Sequence, residues 1–148
     1  MMSAALTLAR EAATRGEVPV GAVLVHRGEI IAQAHNLTET NNDPTAHAEI
    51  LVIREAALKL GSTRLPECDL YVSLEPCAMC AAAISHARIR RLYFGAWDTK
   101  MGAVENGSRF YTQPTCHHAP EVYGGIQASE SEQLLREFFL EKRGAKQC

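Results

Sequence analysis

Apolar residues in this chain recur at two spacings, a helical period and the short continuous runs typical of buried strands. A first helix is predicted over residues 2–15, with an apolar face formed by Met2, Leu6, Ala9 and Ala13. Apolar runs at 20–25 and 30–34 flank the turn sequence Arg27-Gly28-Glu29, which predicts a β-hairpin. The pattern therefore indicates one helix followed by two paired strands.

The second predicted helix starts near Pro44 and stops at Gly61, because proline suits a first helical turn and glycine a helix end. Its apolar face is expected to comprise Ile50, Ile53, Ala57 and Leu60. A third, alanine-rich helix is predicted from Pro76 to Ala87. Both of these helices begin close to the residues that carry the candidate chemistry described below.

Further strands are predicted at 70–74 and 92–95, with a weaker one at 122–126. Ser129 and Glu132 form a capping-box pattern ahead of a last helix that is expected to end at Gly144. The inward face of that helix is predicted to contain Leu134, Leu135, Phe138 and Phe139. Strands alternating with helices favour an α/β fold whose sheet is covered on both faces.

Composition places the chain in a broad class. A length of 148 residues with 47% hydrophobic and 22% charged residues predicts one globular domain over residues 1–148. No apolar stretch has the length of a membrane span, and the first ten residues lack the features of a signal peptide.

Three cysteines, Cys68, Cys116 and Cys148, have no close pairing partner, which favours a reducing, cytoplasmic location. A net charge of −2 means that a polyanionic partner would need a local basic patch.

Two short motifs contain the residues with candidate chemistry, His47-Ala48-Glu49 and Pro76-Cys77-Ala78-Met79-Cys80. His47, Cys77 and Cys80 are three zinc ligands without an evident fourth, and a catalytic zinc site, unlike a structural one, keeps a position for water. Glu49 is a carboxylate that can exchange protons with such a water. The pairing H-x-E with P-C-x-x-C is typical of zinc-dependent base deaminases. We therefore predict a hydrolytic zinc site at two helix N-termini, with His47 in the turn that Pro44 opens.

Other interpretations of these residues exist. A Cys-x-x-Cys pair occurs in redox proteins and zinc fingers, but a finger needs a second pair and a redox site does not require His47 or Glu49. Cys116 with His117 and His118 would in principle complete a four-ligand structural site, although adjacent residues seldom point at one ion. His47 by itself would be compatible with a core histidine. The two motifs together favour catalytic zinc.

Beyond the metal ligands, the chain resembles the bacterial tRNA-specific adenosine deaminases, which are cytidine deaminase-like enzymes, over nearly its whole length. The segments that carry the resemblance are Glu17–Val23, Asp43–Ile50, Leu74–Cys80 and Gly95–Lys100. The resemblance implies a three-layer α/β/α sandwich around a mixed five-stranded sheet, a homodimer and one Zn²⁺ per subunit. It implies hydrolysis of the wobble adenosine in a tRNA anticodon stem-loop to inosine, with release of ammonia. Glu49 would move protons, Asn36 would bind the target base, and Asp98 would contact the anticodon loop beside it.

Two other functions are compatible with the same motifs. A deaminase of a free base or nucleoside, such as guanine or cytosine, would use unchanged zinc chemistry. A non-catalytic, zinc-stabilised binding module would keep the ligands but would have no use for Glu49. The alternative to a base-binding role for Asn36 is that of a simple turn residue after the strand.

Candidate phosphate contacts are basic residues in two groups, although such residues are also common on solvated surfaces. They are Arg88, Arg90, Arg91, Lys100, Lys142, Arg143 and Lys146. The long stretch that contains Phe110-Tyr111 and His117-His118 is expected to form either a pocket wall or a dimer contact.

Overall fold

A computed structural model describes residues 1–147 of the chain, with the side chains described as far as Gly144. Cys148 and the side chain of Lys146, both considered above, lie outside this description. The helices and strands occur in the order α1 (Met2–Thr14), β1 (Gly21–His26), β2 (Glu29–His35), α2 (Ala48–Leu60), β3 (Cys68–Leu74), α3 (Ala78–His86), β4 (Arg91–Ala96), β5 (Glu121–Tyr123) and α4 (Ala128–Gln147). Each predicted helix and strand has a counterpart in this order.

The five strands form one mixed sheet in the order β2-β1-β3-β4-β5. The predicted hairpin pairs β1 with β2, and β1 also lies antiparallel to β3. The next two pairs, β3 with β4 and β4 with β5, are parallel. The mixed five-stranded sheet expected from the resemblance is thereby confirmed.

Helices cover both faces of the sheet and give three layers. Alternate residues of β3 face opposite layers, with Leu70 and Val72 in the core under α2 and α3 and Tyr71 against α1. On the first side, Val52 of α2 and Ile84 of α3 are fully buried. On the other side, α1 and α4 pack against each other and against the sheet. The chain has the three-layer α/β/α architecture predicted for it.

The buried face of α2 differs from its prediction. The fully buried apolar residues are Ala48, Val52 and Ala56, which lie one or two positions before the predicted residues. Ile53 is only partly buried and Leu60 is 38% exposed. The shift arises because α2 packs against both the sheet and α3, so small residues occupy the side where the two helices meet.

The last helix also departs from its prediction in three respects. It begins at Ala128, so Ser129 is already helical and does not act as the N-cap of a capping box. It continues past Gly144 to Gln147. Phe138 is buried as predicted, but Phe139 is 45% exposed because it lies at the rim of a pocket. A hydrogen bond from the Ser131 hydroxyl to the Ser73 carbonyl of β3 joins this helix to the sheet.

Two further observations concern the last strand and the lengths of the helices. The strand predicted at 122–126 is regular only over Glu121–Tyr123, since two glycines follow it. Within residues 1–147, every helix is too short or too polar to cross a bilayer.

Candidate active site

The N-terminal ends of α2 and α3 bring the two sequence motifs together. His47 is the N-cap of α2, Cys77 is the N-cap of α3, and Cys80 lies in the first turn of α3. The prediction that His47 lies within a helical turn opened by Pro44 is wrong, because the helix begins only at Ala48. The preceding residues instead form a turn in which Asp43 Oδ1 accepts the backbone N–H of Thr45 at 2.9 Å.

The three ligand atoms have the spacing of a zinc site. The Nδ1 atom of His47 lies 3.5 Å from the Cys80 sulfur and 3.7 Å from the Cys77 sulfur. All three atoms are within 4.8 Å of one another. Tetrahedral zinc, with bonds of about 2.0 Å to nitrogen and about 2.3 Å to sulfur, separates these atoms by about 3.5 Å. The residues therefore fit the coordination of a zinc ion.

Of the three ligands, Cys77 is the one whose pKa is shifted towards the metal-binding form, while the pKa values of His47 and Cys80 are raised. A hydrogen bond from Cys80 and the contact with His47 lower the pKa of the Cys77 thiol to about 4, which makes it a thiolate at neutral pH. The same bond raises the pKa of Cys80, which acts as the donor. The N-terminal dipoles of α2 and α3 add positive potential at the site. A divalent cation between the sulfurs would favour the thiolate form of both.

Glu49 lies beside the ligands in the first turn of α2. Its side chain is only 4% exposed, and burial raises its pKa to about 7. A carboxyl group that titrates near neutrality can both accept and donate a proton at physiological pH. Glu49 also lines a pocket, so this proton is available to a bound molecule.

The pocket has a volume of ≈ 610 Å³ and opens at the carboxyl ends of β3 and β4. Its floor contains His47, Glu49 and Cys77, three of the four residues of the zinc and proton-transfer prediction. Its walls and rim are formed by Val18, Val20, Asn36, Thr38, Leu74, Glu75, Trp97, Asp98, Thr99, Lys100, Met101, Leu135, Phe139 and Arg143. A concave, largely apolar pocket with a few convergent polar groups is the usual form of a small-molecule site.

Asn36 is fixed at the wall of this pocket by its side-chain oxygen. Oδ1 accepts the backbone N–H of Ala48 at 2.9 Å, at the start of α2. This contact orients the amide, and the Nδ2 group has no hydrogen-bond partner among the described residues. Asn36 follows β2 directly, but its buried contact with α2 differs from that of a simple turn residue.

Asp98 lies at the pocket rim in the loop that follows β4. Its Oδ1 atom accepts the backbone N–H groups of Lys100 and Met101, both at 3.0 Å. The local turn therefore uses one carboxylate oxygen, and Oδ2 makes no hydrogen bond to the described residues. The residue is half-buried.

Two buried carboxylates hold the loops that form the pocket walls. Glu17 is fully buried and accepts hydrogen bonds from the Thr38 and Thr40 hydroxyls and from two backbone N–H groups of residues 39 and 40. Glu75 is 2% exposed and accepts four backbone N–H groups, those of residues 98, 104, 105 and 106. It also accepts the side-chain amide of Asn106 at 2.7 Å.

Sequence reasoning assigned no role to either of these acids. A signal was present, because Glu17 lies three residues before the apolar run at 20–25 and Glu75 directly follows Leu74, the end of another run. A carboxylate at the end of a buried strand has to find donors nearby, and here the loops supply them.

The basic candidates separate into two groups at opposite ends of the sheet. Arg90 forms a bidentate ion pair with Asp69, at 2.9 and 3.0 Å, and Arg91 pairs with Glu121 at 3.0 Å. These pairs lie at the start of the parallel strands, whereas the pocket lies beyond their ends. The interpretation of Arg90 and Arg91 as surface residues is therefore favoured.

Among the basic candidates whose side chains are described, Lys100 and Arg143 line the pocket. Lys142 instead lies over the Phe138 ring, 4.9 Å from its centre.

In the long stretch before β5, Phe110 and Tyr111 pack on the core, and the Tyr111 hydroxyl donates to the Ala81 carbonyl of α3 at 2.9 Å. That stretch consequently supports α3 and forms no part of the pocket wall.

Comparison with known proteins agrees with this geometry. Residues 1–96 match the family described as the cytidine and deoxycytidylate deaminase zinc-binding region. The tRNA-specific adenosine deaminase of Agrobacterium fabrum is 64% identical over 142 residues, which cover 96% of this chain and 93% of that protein.

Solved structures extend the comparison to the fold. One, from studies of A-to-I editing by tRNA:A34 deaminases at the wobble position of transfer RNA, has a TM-score of 0.89 at 63% identity and covers 90% of this chain and 97% of its own. The guanine deaminase from Bacillus subtilis is 36% identical with a TM-score of 0.65, over 92% of this chain and 90% of that structure.

Proposed function

Because this chain belongs to the tRNA-specific adenosine deaminase family, we propose that it converts the wobble adenosine of a tRNA anticodon to inosine. The observation that carries the proposal is the convergence of three zinc ligands and a buried carboxylate at the floor of one pocket. The 64% identity to a tRNA-specific adenosine deaminase supports this substrate over others of the wider family.

The reaction is a hydrolysis at C6 of adenine. A C–O bond forms between water and C6, the C6–N6 bond breaks, and the products are inosine and ammonia. His47, Cys77 and Cys80 would hold a zinc ion, which would supply the Lewis acidity that lowers the pKa of a water towards neutrality. Glu49 would take one proton from the attacking water and deliver it to the ring nitrogen N1. It would then take the second proton from the new hydroxyl on C6 and deliver it to the departing amine, which leaves as ammonia. Its buried position beside the ligands supports this role.

Asn36 and Asp98 are the proposed contacts with the substrate. With its oxygen held by Ala48, the Asn36 side chain presents its NH₂ group to the pocket, where it would donate to an acceptor nitrogen or oxygen of the target base. Asp98 would contact the anticodon loop beside that base through Oδ2, since Oδ1 is engaged in the local turn.

Adenosine must leave the base stack before C6 can reach the pocket floor. An anticodon loop is already single-stranded, so this extrusion costs only a few kcal/mol. Lys100 and Arg143 are the basic residues placed to contact phosphates around the entrance. Since the net charge of the chain is −2, such local contacts would have to provide the attraction to RNA.

We further infer that the protein is a single domain that acts as a cytoplasmic homodimer. The unpaired thiols Cys68 and Cys116 are compatible with a reducing compartment, where tRNA is also found. A solution mass twice that of one chain, measured by light scattering, would support the dimer, and the mass of a single chain would contradict it.

The deciding experiment compares ammonia release from zinc-loaded protein with four substrates. These are an arginine tRNA anticodon stem-loop with adenosine at the wobble position, free adenosine, guanine and cytosine. Inosine formed only in the stem-loop supports the proposal, and a stem-loop with guanosine at the wobble position serves as the matched control. Turnover of a free base would instead assign the protein to base salvage, and metal binding without any ammonia release would indicate a binding module.

A further inference from the structure

Trp97 is an exposed aromatic residue at the rim of the pocket that the reaction above does not use. It directly follows β4 and precedes Asp98, and 46% of its surface is accessible. It is also the only tryptophan of the chain. Large aromatic side chains dominate core and interface energetics, so one left half-exposed beside a binding pocket requires an explanation.

The indole ring is held in one orientation by contacts on its buried side. Its Nε1–H donates to Glu105 at 2.6 Å, and its ring meets Phe94 edge-on, with centres 6.3 Å apart at 86°. Gly125 lies against the six-membered ring, since a Cβ atom at that position would come within 2.6 Å of the ring. The ring is therefore fixed before any ligand arrives, which reduces the entropy lost on binding.

Apolar and cationic side chains are present at the same rim, together with the carboxylate of Asp98. Met101 is 68% exposed and Phe139 is 45% exposed, and Lys100 and Arg143 line the same entrance. Exposed aromatic rings combined with cations are the usual means of binding single-stranded nucleic acid, since bases stack on the rings and phosphates meet the charges. A pocket that accepts one extruded base leaves the adjacent base at the rim, without its former stacking partner.

We propose that Trp97 is a stacking platform for the base of a nucleotide that flanks the deaminated adenosine. This inference rests on the proposed function and extends it, because it assigns recognition of a second nucleotide to the same site. Trp97 is thus a binding residue for the RNA and takes no part in the bond changes.

The presence of a single tryptophan allows a direct test by intrinsic fluorescence. The anticodon stem-loop is titrated into the zinc-loaded Glu49→Gln protein, in which turnover is suppressed. Stacking of a base on the indole is expected to quench the emission. A stem-loop with an abasic site 5′ or 3′ of the target adenosine is expected to bind with the quenching largely lost, and the effective position identifies the stacked base.

Binding affinities provide a second readout, and the comparison with the abasic stem-loop separates a stacking role from a merely structural one. Trp97→Ala should weaken stem-loop binding about 5- to 150-fold, and Trp97→Phe should restore most of the loss. The abasic stem-loop should bind Trp97→Ala and the unsubstituted protein about equally, because both changes remove the same contact. Tyr123→Ala, which removes a 44% exposed ring outside the pocket, is the matched control and should leave affinity unchanged.

Three results would overturn the proposal that Trp97 is a stacking platform. Unquenched emission during binding of a stem-loop that the unsubstituted protein deaminates would exclude Trp97 while leaving the proposed function intact. Emission that changes on dilution of the protein, and not on addition of RNA, would assign the ring to a protein–protein contact. Absence of both binding and deamination of the stem-loop would reject the proposed function and the platform together.

Discussion

Glu75 accepts the backbone N–H of Asp98 at 3.0 Å, and this bond ties the loop after β4 to the residue that follows β3. Two residues after Glu75 comes the metal ligand Cys77, so the proposed RNA contact and the zinc site share one buried anchor. Gly102 permits this arrangement, because a Cβ atom there would lie 2.6 Å from the Glu75 carboxyl carbon.

Glu75→Gln should loosen this loop while leaving the metal in place. A glutamine directs an NH₂ group towards backbone N–H donors and loses charge-assisted hydrogen bonds, at a cost of about 1–3 kcal/mol. We expect KM for the stem-loop to rise, with zinc content retained and a lower free energy of unfolding in urea. Glu67→Gln, at an exposed ion pair, is the control. An unchanged KM and unfolding free energy would contradict the anchoring role.

Glu49→Gln should abolish turnover and keep both fold and zinc. Removing the group that transfers protons in two steps is expected to lower kcat by about 10²- to 10⁴-fold or more. Inosine formation and zinc content are measured side by side. Glu55→Gln, on the same helix and paired with Lys59, should behave like the unsubstituted protein. Full activity of the Glu49 variant would show that another group transfers the proton.

Cys77→Ala should lose zinc, because it removes one of three protein ligands. Since a bound metal would join the ends of α2 and α3, the melting temperature of the zinc-loaded protein should fall as well. Atomic absorption and thermal denaturation measure the two effects. Cys116→Ala, at a thiol outside the ligand cluster, should keep full zinc content. Undiminished zinc in the Cys77 variant would mean that the ligand set is wrong.

Asn36→Asp separates the two functions of this side chain. Aspartate retains an oxygen for the Ala48 N–H and loses the NH₂ donor, so stability should be kept while kcat/KM falls about 10- to 100-fold. Asn36→Ala removes both groups and should lower stability as well. Steady-state kinetics and urea denaturation distinguish the cases. An aspartate variant with normal kinetics would restrict Asn36 to a structural role.

Glu17→Gln should produce a stability loss that depends on pH. Burial by itself would raise the pKa of Glu17, but hydrogen bonds from residues 38–40 outweigh it and hold the pKa below its usual value of 4.5. The ionised group therefore stabilises the folded state above pH 4.5, and this contribution is lost as the pH falls through the lowered pKa.

The measurement is the difference in unfolding free energy between the unsubstituted protein and the variant. We expect a constant difference near neutral pH that shrinks as the solution is acidified below pH 4.5. The exposed Glu29→Gln variant should show little difference at any pH. A loss of equal size at every pH would mean that the charge of Glu17 does not stabilise the fold.

Local sequence patterns were sufficient to predict the helices, the strands and the three residues that form the His-Cys-Cys cluster. Each depends on short-range information, namely apolar periodicity, glycine and proline positions, and ligand spacing within one motif. The Cys-x-x-Cys spacing, for example, brings two sulfurs to one helix end whatever the rest of the chain does. The resemblance to a known family supplied the mixed sheet, which local patterns do not determine.

Only the tertiary structure decided how residues distant in sequence share an environment. The burial of Val52 and Ala56 in place of the predicted stripe depends on the packing of α2 against α3. Likewise, Arg90 is paired with Asp69, while Lys100 lies at the pocket, because parallel strands separate their two ends. Burial, charge pairing and the free surface of a side chain are properties of the assembled layers, so no single segment encodes them.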